Sequence, residues 1–495
     1  MVLYTGGTIG CEPSDSSDPD SPLRVASWDR LMEASPVLEK ESHRYRIKEY
    51  EFDPPIDSTN MVPSAWATMA GIIEDNYDEF DGFLILHGTD TLVYTASALS
   101  FMLENLRKPV ILTGSQIPII GNLRNDGEQN LITALQIAAW RYNDLPPVPE
   151  VCIFFQDTLI RGNRARKVNA SGFGGFESPN CPPLGEVGEK IRIFRDRLVE
   201  MPNENAKLRV RKELETNIVP LPLFPGIQYA GGLLDRIVEL NCRAIVMHGY
   251  GTGNAPTDPS FLAAIDKSNK EQNKHPTHIL DVSQCLKGMV DLGTYETSIK
   301  LLERGVLSGS DITPEAALCK LMVLLGDRDA TPNRVRADVQ RNLAGEQSQS
   351  IFIAQLEGGG GSLKASAASP RPRFRIPGST VLPDGWSHQN VSRAQLRLHG
   401  IKFKAPKKVA KLSIGIYRDL GDDTEPVPGS KHFIAQVERN AQFLVSMILI
   451  DITSLVNDRS LKPGASMPFV LTLDNKIEGS SLSWERAEIA IFSSQ

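Results

Sequence analysis

The sequence predicts an α/β protein, with parallel sheets flanked by helices, followed by a C-terminal antiparallel β-sandwich. Up to about residue 345, short apolar runs alternate with helix-length segments. A Gly/Ser/Ala/Pro-rich break then follows Glu357, and beyond it short alternating runs replace the helical pattern.

Val2-Leu3-Tyr4 opens as a short strand before a glycine turn. Gly82-Phe83-Leu84-Ile85-Leu86 reads as a buried strand, Leu92 to Leu106 as a helix, and Pro109-Val110-Ile111-Leu112 as the next strand. Asn130 to Trp140 is helical and Val151-Cys152-Ile153-Phe154-Phe155 is again a strand. Strands separated by helices of this length imply a parallel sheet covered on both faces, with sites forming where strand ends meet loops. The polar stretch from about 185 to 225, broken by Pro202, Pro220, Pro222 and Pro225, reads as a crossover. A second unit runs through Ala244-Ile245-Val246-Met247, a helix from Pro259 to Lys270, and Ile279-Leu280-Asp281-Val282. Thr313 before Pro314 and Glu315 marks a capped helix start.

The boundaries therefore read as an N-terminal α/β domain over 1–200, a crossover linker over 201–225 and a second α/β domain over 226–356. A linker over 357–372 leads to the β-sandwich over 373–495. Strands there are expected around Leu396-Arg397-Leu398, Leu412 to Ile416, Phe433 to Val437, Phe469 to Leu473 and Ile489 to Phe492. This last segment is net basic and the remainder net acidic. The glycine run at Gly358 to Gly361 fits a natural linker or an engineered fusion equally. The short opening strand likewise leaves room for a start that comes late in the gene.

A length of 495 residues calls for two or three domains. Hydrophobic residues at 41% and charged residues at 23% are globular values, which excludes a disordered or fibrous chain. The net charge of −7 argues against nucleic-acid and anionic-membrane partners. No apolar run approaches the ~18 residues that a membrane span needs, and no signal-peptide pattern opens the chain. Cys11, Cys152, Cys181, Cys242, Cys285 and Cys319 are widely spaced with no CxxC pair. That points away from a zinc site or disulfide framework and toward a reducing, cytoplasmic setting.

Three strand-end loops carry candidate chemistry. In Thr5-Gly6-Gly7-Thr8-Ile9-Gly10 the paired glycines permit a tight turn and close ligand approach, and the turn displays a hydroxyl. It also reads as a plain βα turn, and no Walker pattern follows. His87-Gly88-Thr89-Asp90-Thr91 places two hydroxyls and a carboxylate at a helix start, where capping is the ordinary role. Arg161-Gly162-Asn163-Arg164-Ala165-Arg166-Lys167 also reads as a solvated basic loop. Together they suit acyl transfer from an amide. A threonine hydroxyl needs a base, a lysine of depressed pKa can supply one, a carboxylate can orient it, and backbone N–H groups can hold an oxyanion.

Residues 1 to about 345 resemble the bacterial-type L-asparaginases, in particular the cytoplasmic type I branch, over roughly 70% of the chain. The resemblance is carried by Tyr4-Thr5-Gly6-Gly7-Thr8-Ile9-Gly10, Asp57-Ser58, His87-Gly88-Thr89-Asp90-Thr91 and Pro109 to Gln116. Further along it rests on Arg161-Gly162-Asn163-Arg164 with Lys167, Gly251-Thr252-Gly253-Asn254 and Ser283-Gln284-Cys285. It implies a two-domain asparaginase fold and hydrolysis of L-asparagine to L-aspartate and ammonia, with no metal or organic cofactor. It implies Thr8 as the first nucleophilic threonine, and Thr89 with Lys167 and Asp90 as the second threonine with its relay. Which threonine attacks in each half-reaction stays open, with Thr8 favoured. Asp57 and Ser58 match residues that hold the substrate's α-amino and α-carboxylate groups, with Thr89, Asp90 and Ser115 also in the binding set. Asn254 matches a residue lent by a neighbouring subunit, which implies a homodimer or homotetramer. The free amino acid is a zwitterion, so orienting its amide carbon requires both charges to be paired.

Some features depart from the family pattern. Cys11 to Arg24 lacks the tyrosine many members carry there, and Tyr295 before Thr297-Ser298 fits the alternative position seen in mammalian-type members. Tyr295 also reads as a packing residue. An allosteric asparagine site is only partly matched, because His248 and Arg166 replace the expected arginine and threonine. Cys285 fits that site, yet also reads as a small buried hydrophobe. The ankyrin repeats of mammalian relatives are not found after residue 345. The C-terminal segment is instead similar, through Gly400-Ile401-Lys402-Phe403, the strand around Ile414 and Ile489-Ala490-Ile491-Phe492, to the C-terminal domain of plant polyphenol oxidases. Its His388, His399 and His432 are too scattered for copper ligands, and Lys402, Lys404, Lys407, Lys408 and Lys411 read as a solvated edge or an acidic-partner patch. Two alternatives to a free asparaginase remain. One is the amidase subunit of a tRNA amidotransferase. The other is a binding or targeting module, formed by the C-terminal domain, on an asparaginase-like scaffold.

Overall fold

The computed structural model describes residues 1–15, 17–18, 21–229, 232–268 and 275–355. Beyond them it describes 361–364, 373–375, 391–399, 402–404, 411–418, 433–440, 447–452, 469–473, 481–484 and 486–494. The chain forms two units, one of Met1–Gly253, Lys267–Val290 and Ser308–Gln347, the other of Asn254–Asp266, Asp291–Leu307 and Ser348–Gln495.

The first unit contains an eight-stranded sheet. Glu49–Glu51, Val2–Tyr4, Phe83–Leu86, Val110–Thr113 and Val151–Phe155 run parallel in that spatial order. Phe83–Leu86, Val110–Thr113 and Val151–Phe155 are buried at every position, as continuous apolar strands covered on both faces must be. Helices Leu92–Met102 and Gly127–Ala138 cover them. The core on one side joins Tyr4, Leu84, Leu86, Ile111, Leu131, Leu135 and Phe154.

The sheet is mostly parallel, as read from sequence, and carries an antiparallel extension that the sequence did not show. Thr158–Arg161, Gly185–Val187 and Ile191–Ile193 extend it antiparallel. Only Gln156 and Asp157 separate the paired Phe155 and Thr158, and Gln156 adopts φ +51°. A two-residue link, turned by the positive φ of its first residue, makes a hairpin, because a parallel partner needs a long crossover.

The crossover expected over 201–225 also holds strands. Arg209–Val210 pairs with Leu103–Glu104, which ends the helix expected to reach Leu106. Ile218–Pro222 is the outer strand of a second sheet, parallel to Ala244–Gly249, which in turn pairs with His278–Ser283. Pro220 and Pro222 are tolerated because an edge strand has one side with no ladder donors to lose. The helix over Pro314–Gly326 begins as expected, with the Thr313 side chain accepting from the Ala316 N–H.

In the second unit every pairing among the C-terminal strands is antiparallel. Two boundaries shift. Gln349–Gln355, assigned by sequence to the second α/β domain, pairs along its whole length with Glu488–Ser494. Gly361–Lys364, assigned to the linker, pairs with Ser481–Trp484. Backbone pairing forms there despite Gly361, since glycine lowers strand preference without removing a donor. The rest of the 357–372 linker, and Gly400, Ile401, His388, His432, Lys407 and Lys408, lie outside the described residues.

All six cysteines are free thiols. Cys285 is exposed, so its reading as a buried hydrophobe is corrected: it follows the end of strand His278–Ser283, outside the sheet. Among the described residues no helix is long and apolar enough to cross a membrane.

Candidate active site

Four turns at the ends of the parallel strands press on one another. Gly7 has φ +88°, and a Cβ there would lie 2.3 Å from the Gly88 backbone nitrogen. The glycine pair thus brings the backbone bearing Thr8 against the backbone bearing Thr89. A Cβ on Gly88 would lie 2.5 Å from Ser58 Oγ, and one on Gly114 would lie 3.6 Å from Thr89 Cγ2. The Thr91 hydroxyl donates to the Ser58 carbonyl at 2.7 Å, and the Ile56 N–H to the Thr5 carbonyl at 2.6 Å. Thr8, Asp57-Ser58, Thr89-Asp90 and Ser115 therefore stand on mutually contacting turns.

The basic loop is buried rather than solvated. Arg161, Asn163 and Arg164 are all buried. Arg161 pairs with Glu150, and Arg164 with Asp311 at 2.9 Å. So anchored, the loop carries Lys167 to the second threonine. Lys167 Nζ lies 3.0 Å from Thr89 Oγ1 and 2.7 Å from Asp90 Oδ1. Thr89 is buried, whereas the Asp90 side chain remains 56% exposed and open to a ligand.

Ser58 and Ser115 are buried, and Ser115 Oγ has no hydrogen-bond partner among the described residues. Asp57 is exposed, and its Oδ1 accepts from the Thr59 N–H at 3.0 Å. An exposed carboxylate and a buried hydroxyl side by side can serve an ammonium and an oxygen of one small molecule. His87 is fully enclosed; burial drives its pKa down to about 4, so it is neutral at pH 7. The Trp66 indole donates to Thr95 Oγ1 at 2.9 Å, and Thr95 stands 2.9 Å from His87 Nε2. His87 Nδ1 meets the Gly88 carbonyl at 2.6 Å, which assigns the proton to Nδ1.

In the second sheet, the end of strand His278–Ser283 holds the glycine turn before Asn254. Ser283 Oγ donates to the Gly251 carbonyl at 2.6 Å, and Gln284 Nε2 to those of His248 at 2.7 Å and Leu223 at 2.6 Å. Asp281 is completely buried; desolvation raises its pKa far above the usual carboxylate range, and Oδ1 accepts from the Gly249 N–H at 3.1 Å. In the other unit, Thr297 donates to Asn254 Oδ1 at 2.6 Å, and Tyr295 is 54% exposed at the start of helix Glu296–Glu303. Tyr295 is thus no packing residue.

Sequence reasoning singled out the turns but missed their supports. Thr91 and His87 read as generic cap and strand-end residues. Asp126, which accepts from the Gln116 and Ile117 N–H groups and so orders the turn after Ser115, went unseen because its helix was started at Asn130. An Asp directly before Gly127 was the available signal.

The sheets, the contacting hydroxyl-bearing turns and the bridging lysine define a class, the α/β amidohydrolases. Within it, residues 1–199 match the family described as asparaginase, N-terminal, and residues 217–337 match the glutaminase/asparaginase C-terminal domain. L-asparaginase 1 of Escherichia coli K12 is 39% identical over 348 residues, 70% of this chain and 96% of that protein. The mouse 60 kDa lysophospholipase is 36% identical over 375 residues, and this chain spans 64% of its length. The crystal structure of L-asparaginase I from Vibrio cholerae superposes with a TM-score of 0.60 at 40% identity, covering 70% of this chain and 98% of that one. The chain belongs to the asparaginase family.

Proposed function

We propose that this protein hydrolyses L-asparagine to L-aspartate and ammonia through a threonine acyl-enzyme. The observation that carries the reading is Lys167 Nζ within hydrogen-bond reach of both Thr89 and Asp90, on a turn in contact with the one bearing Thr8. In this reading Asp57 and Asp90 take the substrate ammonium, and Ser58 and Ser115 take oxygen atoms. Thr8 Oγ1 attacks the carboxamide carbon, its proton leaves with the departing ammonia, and a β-acyl ester forms. Water activated through Thr89 and Lys167 then opens the ester, restoring the Thr8 hydroxyl and releasing aspartate. Tyr295 contributes a phenol hydroxyl for proton transfer at the first step. Backbone N–H groups of the glycine turns hold the oxyanion.

The reading includes a homodimer or homotetramer in which Asn254 of one subunit completes the site of another. It also includes a cytoplasmic location, which the six free thiols support. The C-terminal unit is read as a binding or targeting module of unassigned partner. Ammonia release is measured from asparagine and glutamine, without tRNA, and fatty-acid release from a lysophospholipid. Release from asparagine is expected. Its absence, or dependence on charged tRNA, overturns the reading.

A further inference from the structure

Thr297 and Asn254 are 43 residues apart in sequence, yet the threonine hydroxyl donates to Asn254 Oδ1 at 2.6 Å, the only side-chain hydrogen bond either makes among the described residues. Thr297 lies in the first turn of helix Glu296–Glu303. The first turn of a helix leaves N–H donors free while its carbonyls accept from the turn above, so few backbone acceptors remain there, and among the described residues the Thr297 hydroxyl proton goes to none of them. The neighbouring Ser298 shows the contrast: its hydroxyl donates to the Tyr295 carbonyl and accepts from the Gly293 and Tyr295 N–H groups. The Thr297 proton therefore goes to the asparagine, and the carboxamide oxygen is the atom that must face it. A carboxamide has an acceptor end and a donor end, and pinning the first aims the second away.

We propose that Thr297 is a positioning residue that orients Asn254 to present its two Nδ2–H donors to the α-carboxylate of the substrate. The inference rests on the reading in which Asn254 contacts substrate. It makes Asn254 a reader of anionic oxygen rather than of ammonium, and so a contributor to selectivity for α-amino acids over amides lacking that carboxylate. Both side chains are half-buried, so the bond competes only partly with water.

Steady-state kinetics of four variants test it. Thr297→Val keeps the shape and loses the hydroxyl. It should raise the KM for asparagine about 10-fold, the effect of one lost charge-assisted hydrogen bond, with kcat near the parent value. Thr297→Ser should restore the parent KM. Asn254→Asp, which replaces donors with a carboxylate, should raise KM more than Asn254→Ala does. An unchanged KM in Thr297→Val alongside a raised KM in Asn254→Ala overturns the orienting role. A Thr297→Val defect that Thr297→Ser fails to repair does the same. An unchanged KM in Asn254→Ala overturns the substrate contact itself, and the inference falls with it.

Discussion

Replacing Gly7 with alanine strikes the contact on which the site depends. The new Cβ would sit 2.3 Å from Gly88 N, 2.5 Å from Gly88 Cα and 2.8 Å from the His87 carbonyl carbon. Ordinary contact begins at 3.4 Å, so the two turns must part by about 1 Å (3.4 − 2.3). The obstacle is backbone on every side, and no side chain can swing away. A misplacement of ~1 Å between catalytic groups costs on the order of 100-fold in rate. Stability falls as well: φ +88° adds ~1–3 kcal/mol of strain and the overpacking a similar ~1–3 kcal/mol. Gly226→Ala is the control, since Gly226 has φ +102° but, among the described residues, nothing within 4 Å of its Cβ position. Ammonia release and thermal unfolding are measured on both. Gly7→Ala should lose rate and stability together, while Gly226→Ala loses only some stability. A folded Gly7→Ala protein with parent kcat/KM refutes the convergence of the two threonine turns.

Other outcomes follow from the same contacts. Lys167→Met and Thr89→Val should each lower ammonia release by ~10²–10⁴-fold with little change in melting temperature, the scale of a lost acid–base group. Glu150→Ala strands the buried Arg161 guanidinium and should cost ~3–5 kcal/mol in urea unfolding. His87, with its pKa depressed to about 4, stays neutral in the fold while the unfolded chain binds a proton below about 6.5. Stability is thus full above that pH and lost on acidification toward 4, by roughly 3 kcal/mol from about 2.5 units at 1.36 kcal/mol each, read as the pH slope of unfolding that His87→Gln removes. Asp281 has the opposite sign: burial raises its pKa in the fold, so it costs stability as pH rises above the unfolded carboxylate value, and Asp281→Asn should raise the melting temperature more at pH 8 than at pH 5. Finally, a chain ending at residue 356 leaves strand Gln349–Gln355 without its partner and should aggregate on size exclusion, whereas one ending at residue 347 should not.

The parallel strands were legible because burial on both faces leaves uninterrupted apolar runs, as at Phe83–Leu86 and Val151–Phe155. The antiparallel extension was not, since it hinges on the positive φ of Gln156, a residue with no turn signature. Prolines at Pro220 and Pro222 hid an edge strand, because composition cannot say which side of a strand is unpaired. Strand Gln349–Gln355 depends on a partner more than 130 residues away, which local pattern does not carry. At the site, the turns bearing Thr8, Thr89 and Lys167 stood out through their glycines and hydroxyls. Their supports did not, because a latch such as Thr91 to Ser58, or an ion pair such as Arg161 with Glu150, is visible only once the chain is folded.

A covalent intermediate would bear most directly on the central claim. The protein is mixed with L-asparagine, quenched in acid within the first turnovers, digested and analysed by mass spectrometry. A β-aspartyl ester on the peptide containing Thr8, absent from Thr8→Ala and persisting longer in Lys167→Met, is the result expected. Undiminished ammonia production by Thr8→Ala, with no adduct on any threonine, would contradict the account.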